Sequence, residues 1–145
     1  YRKGGFKALK KLSDEAREYI APLPVAYNPD LSVYKQMREG MPMGAGAHGG
    51  SNIENLPKAQ AIKDATMAHF IHKHYKKKHL FLHFNGRLHS DFNEGIPWYL
   101  NEYAPKMKVR TLSTRKQKNI DELEESAMGI ADFVLVVPKS MTDTY

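Results

Sequence analysis

The chain contains no cysteine, which excludes disulfides and thiolate metal ligation within it but does not choose between cytoplasm and cell envelope. It has no run of about 18 apolar residues, so no segment reads as a membrane-spanning helix. No charged, apolar and small-residue succession marks a signal peptide at its start. The residues from Tyr1 read instead as the polar lead into a helix, as in the interior of a longer protein. Familiar catalytic signatures are also missing: there is no Walker phosphate loop, no Gly-x-Ser-x-Gly elbow and no His-Glu-x-x-His. The glycines at 44, 46 and 49 follow a helix rather than a strand, so a nucleotide-binding reading fails on context.

What is present is enough for one domain over residues 1–145, since 41% of the residues are hydrophobic and a chain of this size can bury a core. The net charge of +6 gathers around Lys7, Lys10 and Lys11, around Lys73 and 76–78, and around Arg110, Arg115, Lys116 and Lys118. No nucleic-acid motif accompanies these groups, so no nucleic-acid partner is expected. They read as solvated faces and as cations at the negative ends of helices.

Apolar residues at Phe6, Leu9, Leu12, Ala16 and Ile20 predict an amphipathic helix over 5–20. A short strand at 24–27 follows, then a helix introduced by Asn28-Pro29 and closed by Gly40. Residues 41–52 are glycine-rich without apolar period and read as a loop or lid. Beyond them the pattern predicts a helix over 57–77, a strand at 80–84, a helix over 96–103, a strand at 108–112, a helix over 120–128 and a strand at 133–137. This alternation predicts an α/β fold, a three-layer α/β/α arrangement around a mostly parallel sheet, because helices supply the crossovers that parallel strands need. Four strands are few for such a sheet. Strands are expected to be missing on the amino-terminal side, or the sheet is completed by a partner, and a homodimer is allowed for.

The stretch 80–97, LFLHFNGRLHSDFNEGIP, concentrates the candidate chemistry. Its apolar start reads as a strand buried on both faces, and Asn85-Gly86 turns the chain so that Arg87, His89, Ser90 and Asp91 stand at the strand's carboxyl end. Ligands of open α/β sheets bind in that crevice. Gln60 and Asp64 lie on one stripe near the amino end of the long helix, the end that shares a side with strand carboxyl ends, so they are expected to face the turn. His89 and Asp91 suit a divalent metal ion, or an acid–base pair in a metal-dependent hydrolase. A His-x-Asp pair on a loop is more often an ordinary hydrogen-bonded turn, and a non-catalytic partner-binding domain stands as a further alternative. His48 on the glycine-rich loop is another candidate ligand. His69, His72 and His74 cannot all share one helix face and read as part of a basic exposed surface.

The residues 24–29 (PVAYNP), 59–68 (AQAIKDATMA) and above all 84–91 (FNGRLHSD) with Gly95 resemble the ChaN-like haem-binding uptake proteins of the Tiki and TraB group. The likeness spans 21–137 and looks like the carboxyl-terminal portion of the family domain, without its upstream Gly-Glu-x-His segment. The resemblance implies haem as cofactor, or another small anionic ligand, and a bacterial envelope location through an upstream lipoprotein signal, with membrane contact only by that lipid anchor. It places Asn85, Gly86, His89, Asp91, Gln60 and Asp64 at motif positions. His89, His48 and Tyr34 are candidate haem ligands on chemistry, since haem iron accepts histidine, methionine or tyrosine.

Overall fold

A computed structural model describes residues 5–39 and 55–142. The glycine-rich loop and His48 lie outside the described residues. The elements are mixed α and β: four α-helices, several single 3₁₀ turns and a parallel pair of strands among the described residues.

Helix α3 (Asn55–His74) is the axis of the packing. Ala61, Ala65 and Ala68 recur along it at four and three residues and are fully buried, and such small side chains let neighbouring helices approach closely. On one side Ala65, Ala68 and Ile71 meet Ile96, Tyr99 and Leu100 of α4 (Ile96–Tyr103). On the other, Ala61 meets Leu31 and the Val33 and Tyr34 side chains of α2 (Ser32–Glu39). Trp98 packs against both clusters, so α4 ties them into one core.

The expected helix over 5–20 is instead a 3₁₀ segment, Gly5–Lys11, followed by the short helix α1 (Asp14–Arg17). The break falls where the Ser13 hydroxyl accepts from the Ala16 amide at 3.2 Å, because a serine that caps a new helix start interrupts the one before it. Residues 24–27 have no ladder partner among the described residues and are held by the Tyr99 hydroxyl, which donates to the Ala26 carbonyl at 2.6 Å.

Strands β1 (Leu112–Gln117) and β2 (Phe133–Pro138) pair in parallel, with Leu112 opposite Phe133 and Gln117 opposite Pro138. Pairing begins at Leu112 rather than 108 because the Thr111 amide donates to the Asp132 carboxylate at 2.8 Å. The Asp132 amide donates in return to the Thr111 hydroxyl at 3.0 Å. Those reciprocal bonds fix the register. The helix expected over 120–128 is reduced to a 3₁₀ turn, Glu125–Ala127. Gln117 is the cause: its amide donates to the carbonyls of Asn119 and Glu122 and accepts from the Glu124 amide, satisfying that backbone in an irregular turn.

The largest departure is at 80–84. These residues form no ladder among the described residues, and Leu80, Leu82 and Phe84 are 84%, 68% and 89% exposed. An apolar run marks a buried strand only where neighbouring strands and helices cover it, and no described strand lies beside this one.

Candidate functional site

Three separated parts of the chain converge on one carboxylate. Asp64, in the third turn of α3, is completely buried. One of its oxygens accepts from His89 Nδ1 at 2.5 Å, and the other accepts from the Tyr34 hydroxyl at 2.8 Å. Gln60, one turn earlier on α3, sets its side-chain amide nitrogen 2.7 and 3.2 Å from the two nitrogens of the His89 ring. Because a carboxylate oxygen can only accept, His89 Nδ1 donates to Asp64, and the Gln60 amide packs against the same ring.

Burial is the largest influence on Asp64 and raises its pKa, against the hydrogen bonds from His89 and Tyr34 that lower it. Burial also drives the Tyr34 phenol far above its ordinary range, reinforced by the Asp64 charge beside it. Tyr34 is therefore a neutral donor. The resulting tyrosine–carboxylate–imidazole chain satisfies a carboxylate that would otherwise be costly to bury.

Local sequence explains how the parts meet. Gly95 adopts a φ of +60°, and a Cβ there would stand 2.5 Å from the His89 carbonyl oxygen and 3.3 Å from an Asp64 oxygen. Glycine alone lets the start of α4 rest on the turn. Next to it, the Glu94 carboxylate accepts from the Ser32 hydroxyl at 2.7 Å and from the Val33 amide at 2.9 Å. It thereby caps α2 and fixes Tyr34 one residue further on.

Asp91 turns the other way. One oxygen accepts from the buried Ser113 hydroxyl of β1 at 2.7 Å and the other from Arg87 Nη1 at 3.2 Å. The Phe92 amide donates to the Ile130 carbonyl at 2.6 Å, so this half of the turn is an anchor to the strand pair. His89 and Asp91 thus serve different partners, and no three histidine, aspartate or glutamate side chains converge on a point among the described residues. Asn85 donates to the Gly86 carbonyl and to the Ser90 hydroxyl, both at 3.0 Å, and Gly86 precedes the 3₁₀ turn Arg87–His89.

Beside the turn lies a groove of about 370 Å³ lined by residues 79–83 and 107–112, by the end of α3 and the start of α4, and by Asn85 and Ser90. Its lining is apolar at Ile71, Phe81, Leu100, Met107 and Val109, and carries two imidazoles, His79 and His83, and two cations, Lys108 and Arg110. Desolvation lowers the His83 pKa, and the nearby His89 adds to this, so His83 is a neutral imidazole at neutral pH. His79 donates Nδ1–H to the Lys77 carbonyl at 3.2 Å.

Gln60, Asp64, His89 and Tyr34 are therefore brought together, Asn85 reaches the groove, and Asp91 stands apart from both. Sequence reasoning did not find Glu94, Ser113 or the groove histidines. The histidines carried a readable signal: His79, Phe81 and His83 recur at every second residue, the period of one face of an extended chain.

A family model described as haem-binding uptake, Tiki superfamily, ChaN matches residues 1–100. No curated protein and no solved structure matches the chain. The match covers more than half of the sequence, including the entire Tyr34, Gln60, Asp64 and His89 network and residues 79–83 of the groove, and the chain belongs to the ChaN-like haem-binding uptake family of the Tiki superfamily.

Proposed function

We propose that this chain binds haem as a component of a bacterial envelope iron-uptake system, without catalysis of its own. The observation that carries the reading is the groove beside the 85–91 turn. Its apolar walls, two imidazoles and two cations match the chemistry of an iron porphyrin, which needs an apolar slot, an axial donor and partners for its carboxylates. Its volume falls in the range of small-molecule sites. When bound, haem supplies the iron that such a system handles. The chain's own residues enclose the ring, donate a lone pair and neutralise charge.

The buried network serves this seat indirectly. By tying His89 to Asp64 it holds the turn whose Asn85 and Ser90 line the groove. Haem titration followed at the Soret band tests the reading. Saturable binding at micromolar haem, with one haem per chain, is the expected result. A spectrum that stays that of free haem overturns it.

A further inference from the structure

We propose that a second cavity, at the carboxyl half of β1, binds a soluble phosphate monoester. It has a volume of about 370 Å³, shares no lining residue with the groove, and is lined by Arg87, Arg115 and Lys116 together with Thr114, Ser126 and Glu124. Three cations against one carboxylate give the lining a positive balance, and the two hydroxyls donate to phosphate oxygens. Of these residues only Arg87 falls within the matched stretch 1–100, so the site is carried by the chain beyond the match and does not rest on the haem reading.

Two buried polar residues of β1 build the cavity. Side chains alternate along a strand, so Ser113, Arg115 and Gln117 project from one side of β1. The Ser113 hydroxyl donates to Asp91, whose other oxygen accepts from Arg87 Nη1 at 3.2 Å, which sets Arg87 on the Arg115 side of the strand. Gln117 holds the carbonyls of Asn119 and Glu122 and accepts from the Glu124 amide, which brings Glu124 and Ser126 into the same lining. Neither guanidinium is saturated. Arg87 engages Asp91 through Nη1 alone, and Arg115 makes one bond among the described residues, from Nη2 to the Ser126 carbonyl at 3.5 Å, at the long limit for such a bond. Lys116 donates to the Met141 carbonyl at 2.8 Å and adds its charge. A guanidinium fork engages two phosphate oxygens at once. Glu124 selects the rest of the ligand, because a carboxylate repels a second phosphate and accepts from a hydroxyl. The carboxyl end of a parallel strand is also where open α/β sheets receive ligands.

Calorimetric titration of the whole chain with glycerol phosphate, inorganic phosphate and pyrophosphate tests the proposal. The expected result is one glycerol phosphate per chain, bound more tightly than either inorganic anion, with Arg115→Gln weakening it at least about tenfold. Arg115→Lys keeps the charge without the fork and recovers only part of that loss. Lys118→Gln removes a neighbouring cation outside the lining and leaves the affinity unchanged, as does saturating haem. Equal weakening by Lys118→Gln and Arg115→Gln overturns the site in favour of diffuse surface charge. Tighter binding of pyrophosphate overturns the monoester, displacement of the ester by haem overturns a separate site, and binding to phosphatidate vesicles alone assigns the charge to a membrane surface instead. No binding of any probe overturns the proposal outright and leaves the haem reading standing. An unchanged urea midpoint for Arg115→Gln shows that its loss of binding is a lost contact and not a lost fold.

Discussion

Asp64 is the residue on which most depends, because it accepts from both Tyr34 and His89 inside a volume that admits no water-accessible surface. Truncating it leaves the buried Tyr34 hydroxyl and the part-buried His89 N–H without their acceptor, whereas removing the Tyr34 hydroxyl leaves a carboxylate that still holds His89. The two changes should therefore differ. Asp64→Ala is expected to destabilise the fold by about 3–5 kcal/mol and Tyr34→Phe by about 1–2 kcal/mol. Urea unfolding with an unchanged slope checks both. Equal, small losses would mean that the network is an accident of packing. Gly95 makes a comparable demand on the backbone, since its φ of +60° and the 2.5 Å approach to the His89 carbonyl oxygen both exclude a side chain. Gly95→Ala should cost about 1–3 kcal/mol from conformation alone, read by the same unfolding experiment. It should cost haem affinity as well, because the turn must shift.

Between elements, the register of the two strands is set by Thr111 and Asp132, and this has a pH signature. The Thr111 backbone amide, then its hydroxyl, hold the Asp132 carboxyl below the ordinary carboxylate range. A depressed folded-state pKa contributes stability above the unfolded value, and that contribution is lost as pH falls through the folded value. Asp132→Ala should accordingly destabilise the chain at pH 6 and much less at pH 3, as compared by denaturant midpoints at the two pH values. A pH-independent loss would assign the effect to packing instead.

The elements that the sequence made legible are those whose signals are local. Gly95-Ile96-Pro97 announced α4 to the residue, and the apolar run from Phe133 announced β2. The start of β1 was missed by four residues because it depends on Asp132, twenty-one positions away. Residues 80–84 have the composition of an interior strand, but burial is a property of neighbours. The site was legible to the same depth. That Gln60 and Asp64 face the turn follows from helix and strand ends sharing a side. That Asp91 turns to Ser113, and that Glu94 caps α2, are tertiary facts without a local trace.

At the scale of the whole molecule, two helical clusters joined through Trp98 hold a polar network at the centre and leave an apolar groove beside it. The exposed run at 80–84 contributes residues 80–83 to that groove and is also a surface on which an apolar porphyrin adsorbs without specificity. Simple adsorption and a folded seat are distinguished by linkage: a ligand held only by the folded chain raises its stability, and one that sticks equally to the unfolded chain does not. The most direct measurement is therefore the urea unfolding midpoint of the wild-type chain with and without excess haem. A folded seat requires a gain of about 2.7 kcal/mol at a hundredfold excess over the dissociation constant. An unchanged midpoint under haem that is demonstrably bound would contradict it.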